Sequence, residues 1–423
     1  MLSNVSGSVQ GPMKMRSVEQ NAIDAVLNKI RARREISAII QNRAYLEGPS
    51  AVRPPQLRKA QFSDFEAVTD LKRRWGIVVD QLENWERLWR RNPALARIES
   101  WPAMGWVLES KGKIVGYLGN IPLLYCYGGR TLTATAGSGL VVEPAYRLFA
   151  MRLMAAFFGQ PGVDLYVATT AIDAVGKIAR AFGSDPLPQP GYGTVLFWIL
   201  RGAPFARAVA RKMGLRKPIS YVGNILASLA VGTDGILRRR RPKAVLRHLA
   251  VSEIRVDEIG DDFQTIWLEK LSEGARLYAD RSANTLRWHF DVPGFRGTTR
   301  VLCCCKNREL VGYAVIRNNP RQEDGLRRSI VADILAKRDD PEVLSALFVA
   351  AYDHAQRVGS HVLEARSLPP EIQQLCRDWK PYVRKHPACP FYYKANDPVL
   401  HRMLASSAAW YASPFDGDAT LMP

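Results

Sequence analysis

Three carboxylates occupy positions from which protons could be moved. Asp333 lies inside the apolar run Ala332-Asp333-Ile334-Leu335, where a charge needs either a partner or a function. Asp173 follows Thr169-Thr170 at an expected helix start, so it suits a general base or a plain N-cap. Glu143 ends an expected strand just before Pro144; it suits the same chemistry or simply faces solvent. Asp416 and Asp418, in the ending Phe415-Asp416-Gly417-Asp418, read as an ordinary turn. The histidines (248, 289, 354, 361, 386 and 401) are scattered and form no H-E-x-x-H, so no metal site is expected. A G-x-x-x-x-G-K-[ST] phosphate loop is absent, and Ser138 lacks the nucleophile-elbow pattern.

Those residues sit in a chain that repeats itself. Lys111-Gly112-Lys113-Ile114-Val115-Gly116-Tyr117 returns as Lys306-Asn307-Arg308-Glu309-Leu310-Val311-Gly312-Tyr313. Leu57-Arg58 with Asp64-Phe65 returns as Ile254-Arg255 with Asp262-Phe263, and Trp89 to Pro93 is echoed by Trp288 to Pro293. The order is kept at an offset of about 196 to 200 residues, too long for a solenoid, so two copies of one domain are expected. The expected divisions are an N-terminal helical arm (1–55), a first copy (56–200), a basic and apolar linker (201–251), a second copy (252–395) and a tail (396–423).

Hydrophobic spacing outlines the first copy as strand, two helices, three strands, helix, strand, helix, strand, and the second as strand, helix, hairpin, strand, helix, strand, helix. In the first copy Phe65, Val68 and Leu71 face inward from one helix, and Trp85 and Trp89 share a face of the next. Lys111-Gly112 turns a hairpin, and Leu196 to Leu200 forms the last strand. In the arm, Ser17 and Gln20 fit a capping box ahead of Ala22, Ile23, Val26, Leu27 and Ile30.

The chain has 423 residues, 47% of them hydrophobic, and a formal net charge of +19. That apolar share is that of a folded protein, and the charge implies an anionic partner. No long uncharged apolar run and no apolar leader is present, so a cytoplasmic protein is expected. In the linker, Ile219 to Val231 is mostly apolar and Arg238-Arg239-Arg240-Arg241 follows. That pattern suits peripheral contact with an anionic membrane, or a helix buried beside a solvated charge run. The six cysteines (126, 303, 304, 305, 376 and 389) include no C-x-x-C pair, so Cys303 to Cys305 read as small strand hydrophobes.

At Val142-Glu143-Pro144-Ala145-Tyr146-Arg147 the chain resembles the acyl-CoA turn of the GNAT superfamily of N-acetyltransferases. The two-copy arrangement is similar to FemAB-like and mycothiol-synthase-like transferases, and the Trp288 segment and Asp-Gly-Asp ending resemble GNAT proteins of bacterial polysaccharide synthesis. The resemblance implies an α/β (α+β) fold of two tandem GNAT-like domains, each a mixed, mostly antiparallel sheet flanked by helices. It implies acyl-CoA, acetyl or longer, as co-substrate and no metal. It also implies a donor site at Val141, Val142, Arg147, Leu148, Phe149, Ala150, Met151 and Arg152. The oxyanion donors would be main-chain amides of Gly139-Leu140-Val141-Val142, with Asp333, Asp173 or Glu143 as the base. Two departures stand out. The turn Arg147 to Arg152 holds no glycine, which leaves arginine side chains to meet a pyrophosphate. Ala179 stands where the family places a proton-donating Tyr. In the second copy Asp339 and Asp340 precede the helix, which repels a pyrophosphate and implies a non-donor half.

The expected function is N-acyl transfer from acyl-CoA to an amine on a sugar, amino acid or small metabolite, with envelope polysaccharide synthesis as one setting. One alternative donor is an acidic acyl-carrier protein or an aminoacyl-tRNA docked on the basic surface; no other nucleic acid is expected. The other alternative is a non-catalytic ligand- or membrane-binding regulator. A homodimer through the N-terminal arm and a peripheral location at the inner membrane complete the expectations.

Overall fold

The repeated segments form matching hairpins. Lys111 and Gly112 both have positive φ (51° and 74°), and so do Asn307 and Arg308 (50° and 70°). That is the backbone a two-residue hairpin turn requires. The computed structural model describes residues 53–98, 102–212, 241–244, 248–319, 325–385 and 390–422. The expected arm helix, the apolar stretch 219–231 and Arg238–Arg240 lie outside the described residues. Arg241, the last of the four arginines, pairs with Asp353 at 2.8 Å.

In chain order the strands are β1 (Gln56–Lys59), β2 (Gly105–Ser110), β3 (Lys113–Tyr127), β4 (Arg130–Val142), β5 (Leu165–Ala168), β6 (Asp185–Pro186) and β7 (Thr194–Ile199). Then come β8 (Leu249–Ile254), β9 (Tyr278–Ala279), β10 (Thr299–Lys306), β11 (Glu309–Asn319), β12 (Arg328–Ala336), β13 (Val362–Arg366), β14 (Tyr382–Lys385) and β15 (Tyr392–Ala395). One sheet runs β1-β2-β3-β4-β5-β15-β6, with β9 attached to β3, and the other runs β8-β10-β11-β12-β13-β7-β14. Each is antiparallel except for one parallel pair, β4 with β5 and β12 with β13. The fold is therefore the expected α/β pair of mixed, mostly antiparallel sheets.

The sheets differ from expectation in which strand closes them. Strand β7, read as the end of the first copy, pairs with β13 in the second sheet (Leu196↔Ala365). Conversely, β15, the last strand of the second copy, pairs with β5 in the first (Tyr393↔Val167). The copies thus exchange their last strands. Without β15, β5 would be an exposed apolar edge, which folded proteins avoid.

The helices are α1 (Phe65–Arg74), α2 (Leu82–Trp89), α3 (Ala150–Phe158), α4 (Asp173–Ala181) and α5 (Gly202–Lys212), followed by α6 (Asp261–Ser272), α7 (Ala283–Phe290), α8 (Pro341–Arg357), α9 (Pro370–Arg377) and α10 (Pro398–Leu404). Val68 and Leu71 of α1 are buried, as their spacing required, and Trp85 and Trp89 of α2 pack 4.5 Å apart. On one face of the first sheet, Leu153, Phe157, Tyr166 and Ala179 pack together beneath α3 and α4. The core on the other face is continuous, joining Trp85, Tyr117 and Tyr125 to Phe263, Trp288, Tyr313, Tyr393 and Trp410. Helix α8 covers the second sheet through Leu344, Leu347 and Phe348. Among the described residues no helix is long and apolar enough to cross a membrane.

The ending is not a loose tail. Every residue from Ala409 to Asp418 is buried. Ala409, Trp410, Ala412 and Phe415 enter the shared core and Tyr411 the core of the second sheet, because the segment is apolar apart from Ser413, Asp416 and Asp418. Asp416 and Asp418 are 1% and 2% exposed, which corrects their reading as a plain turn.

Candidate active site

In the first sheet β4 outruns its neighbour. It pairs with β5 only over Ala134–Ala136, while β4 itself continues to Val142. The two strands separate there, and residues 137–142 have no strand partner on that side among the described residues. Within the free stretch β4 bulges. Its register with β3 passes from Tyr117↔Val141 to Gly119↔Ser138, so Gly139 and Leu140 together oppose Leu118. Gly139 has φ +66°, a conformation glycine adopts without penalty. A bulge re-aims main-chain groups away from the ladder, so amides of the Gly139–Val142 stretch become available to a ligand's carbonyl oxygen.

A buried ion pair supports the bulge. Lys72 Nζ lies 2.9 Å from Asp80 Oδ2, and both side chains are almost fully buried. The Lys72 ammonium also sits over the Tyr117 ring at 5.4 Å, and a Cβ on Gly139 would lie 3.1 Å from it. The Tyr117 hydroxyl is buried with no hydrogen-bond partner among the described residues, and burial pushes its phenol well above the usual range.

The C-terminal segment enters where β4 and β5 part. Asp418 Oδ1 accepts from Thr169 Oγ1 and Oδ2 from Thr170 Oγ1, both at 2.8 Å. The Ser138 hydroxyl beside the bulge adds a third hydrogen bond. Burial pushes the Asp418 carboxyl up, and these hydrogen bonds only partly oppose it. Beside Gly417 lies a small cavity of about 20 Å³, room for a single water, lined among others by Asn92, Leu123, Asp280, Trp288, His289 and Phe415. His289 is held neutral: burial and nearby arginines pull its imidazole well below the usual range. Its ring stacks on Phe415 at 4.0 Å and its Nε2 bonds Thr420 Oγ1 at 2.7 Å.

A splayed β4/β5 pair with a bulge just past the last shared residue can be compared with known proteins. No family model matches the sequence, and no curated protein matches it. Solved structures do match. One is a GCN5-related N-acetyltransferase from Anabaena variabilis, with TM-score 0.50 and 11% identity over 80% of this chain and 72% of that one. Another, a conserved protein of unknown function from Enterococcus faecalis described as a probable N-acyltransferase, has TM-score 0.52 and 11% identity over the same shares. The fold is that of the GCN5-related N-acetyltransferases. At 11% identity the likeness establishes that fold and nothing finer.

Within this fold the expected site residues separate. Val141 and Val142 lie in β4 beyond its pairing with β5. Residues Pro144–Phe149 form a 3-10 turn, not an open loop. The amides of Tyr146 and Ala150 are bonded internally, to Glu143 O and Arg147 O. Leu148 and Met151 point to solvent, 90% and 44% exposed. Arg152 donates to Pro55 O at 2.7 Å, and Arg147 lies on the exposed turn before α3, between Ala145 and Phe149. Glu143 is engaged by Arg74 across an ion pair. Asp173 is the first residue of α4, one past the N-cap Ile172.

Asp333 belongs to the second sheet. It is fully buried and accepts from Arg281 Nε at 3.0 Å, Ser413 Oγ at 2.9 Å and Tyr313 Oη at 3.2 Å. Arg281 also faces Asp416 at 3.5 Å, and these carboxylates raise its guanidinium despite burial. The second sheet has its own bulge, at Ala332, beside Asp333. There Tyr411 Oη donates to Ile334 O at 2.6 Å, so the chain's own ending occupies the corresponding gap. Asp333 is thus tied into a structural network and is not brought together with Glu143 or Asp173. Asp418, Thr169, Thr170 and the Lys72–Asp80 pair went unrecognised in the sequence. The available signal was two carboxylates following the apolar Trp410–Phe415 run, the same signal that singled out Asp333.

Proposed function

We propose that the protein is an N-acyltransferase that takes an acyl-CoA thioester into the gap between β4 and β5 and passes the acyl group to a small-molecule amine. The observation that carries the reading is the position of Asp418: a buried carboxylate held by Ser138, Thr169 and Thr170, beside a bulge with free amides. Asp418 accepts the proton of the attacking amine. Main-chain amides of the Gly139–Val142 stretch hold the oxyanion that forms when nitrogen bonds to the thioester carbon. Collapse breaks the C–S bond and yields amide and thiol.

The residues present fit a thioester arm better than a pyrophosphate. The free edge of β4 can pair with an extended amide-bearing chain, whereas the turn before α3 keeps amides for itself. The donor is therefore held through its thioester arm, with Arg147 as the cation of the turn. The second copy has its gap filled by Tyr411 and Ser413 and serves as scaffold.

Calorimetric titration of the full-length protein with acetyl-CoA and a long-chain acyl-CoA tests the reading. Micromolar binding by wild type and by Asp418→Asn is expected, with transfer to primary amines by wild type alone. If neither thioester binds, the proposal fails and the donor is of another class.

A further inference from the structure

The second copy is a scaffold for acyl transfer, yet its sheet gathers charge in a way that a scaffold does not need. Glu364 of β13 is 3% exposed. Its Oε1 accepts from Arg328 Nε of β12 and from Arg384 Nη2 of β14, both at 3.1 Å. Its Oε2 accepts from Arg366 Nε at 2.8 Å and from Arg366 Nη2. One carboxylate therefore meets three guanidinium groups from three strands. Burial alone would push the Glu364 carboxyl up, but Arg366, Arg384 and Arg328 outweigh it and hold the group below the usual carboxylate range.

Strand register makes these side chains converge. Arg366 and Arg384 both stand opposite Val195 of β7, one on each side of that strand. Glu364 and Tyr382 likewise both stand opposite Phe197. Residues directly opposite share a face, so the two guanidiniums reach across β7 toward Glu364. The other face of β13, with Leu363 and Ala365, is packed into the core of the second sheet. On the arginine face, α5 covers Val362 through Ala208 and Phe205. Tyr382 stacks on Phe197 at 5.4 Å, which braces β14 on β7.

A sealed arginine looks different in this protein. Arg281 faces two carboxylates, Asp333 and Asp416, and all three side chains are at most 1% exposed. At Glu364 the ratio is reversed and the cluster reaches solvent. The Arg366 and Arg384 side chains are 25% and 36% exposed. These two alone exceed the single charge of Glu364, and neither has another hydrogen-bond or ion-pair partner among the described residues. Arg366 Nη1 and Arg384 Nε and Nη1 therefore keep N–H groups for a ligand. Like charges held this close repel unless an anion joins them. Guanidinium forks fixed by a buried acid fit the several oxygens of a phosphate.

We propose that Arg366 and Arg384, held in place by Glu364, bind the phosphate group of a phosphate ester on the β13–β14 side of the second sheet. Such a site goes beyond acyl transfer and does not rest on it.

Calorimetric titration of the full-length protein with inorganic phosphate and glycerol phosphate tests this, with acetate as the carboxylate control. Flotation with phosphatidylcholine vesicles, with and without phosphatidic acid, separates a lipid headgroup from a soluble ester as the source. A phosphate probe is expected to bind wild type, and more tightly as pH rises through about 6, where a phosphate ester takes its second charge while arginine keeps its own. Arg384→Gln, at the more exposed position, and Arg366→Gln should each weaken binding on the order of 10-fold, with circular dichroism unchanged. Arg384→Lys should recover only part of the loss, since it keeps the charge and loses the fork. If Arg366→Gln does not fold, Arg384→Gln decides alone. No binding of any phosphate probe overturns the proposal. Equal binding by Arg384→Gln and wild type also overturns it, by placing the phosphate elsewhere on a basic chain. Acetate binding as tightly as phosphate overturns the ligand class.

Discussion

The Asp418 carboxylate accepts a hydrogen bond from Thr169, a residue 249 positions earlier in the chain, at 2.8 Å. That contact brings the C-terminal tail to the open gap of the first sheet. It places an ionisable group beside the bulge that the β3–β4 register creates. The consequences are measurable.

Asp418→Asn should cut kcat on the order of 10²- to 10⁴-fold while acetyl-CoA still binds. The same variant should be more stable than wild type near neutral pH. The folded-state pKa of Asp418 is raised, so the penalty for its ionisation is absent below the unfolded value and grows as pH rises through the folded one. Thermal melts from pH 4 to 8 check this. A Tm difference that does not widen with pH would show that Asp418 ionises freely in the folded protein.

Gly139→Ala should destabilise by about 1–2 kcal/mol, because a side chain at φ +66° is strained. Its Cβ would also press on Lys72 Cε and Nζ at 3.0 and 3.1 Å. Moving the bulge misaims the oxyanion donors, so kcat should fall further than the change in folded fraction explains. Urea unfolding and turnover measured on the same sample separate the two effects.

Arg281→Met should cost about 3–5 kcal/mol, since it leaves Asp333 and Asp416 buried without their cation. Asp333→Asn should also lower Tm, yet the protein that remains folded should keep its kcat. A kcat loss in Asp333→Asn at full folding would return Asp333 to the reaction.

A chain ending at residue 200 should not fold as a unit. It lacks β15, so β5 has no partner beyond β4, and its own β7 lacks β13. Circular dichroism and hydrogen exchange of residues 53–200 are expected to show no cooperative transition. Adding residues 248–422 in trans should restore one. A stable 53–200 fragment would mean that the strand exchange is dispensable.

Local pattern was enough for the elements and their repetition. The Gly-Tyr hairpins, the Trp85/Trp89 face and the β4-turn-helix order are set by neighbours within a few residues, and the sequence carries that information directly. The α/β class follows from it. The exchange of β7 and β15 was not legible, because a strand's alternation says which face it buries but not which sheet it joins. Asp418 was passed over for a related reason. Asp333 and Asp418 look alike in sequence, each a carboxylate beside apolar residues. Only the folded chain gives one an arginine and the other three hydroxyls at an open gap. Types and spacings determine the parts and their repetition. Which carboxylate meets which cation, and which strand closes which sheet, depends on contacts between residues hundreds of positions apart, settled only when apolar edges and buried charges find their partners.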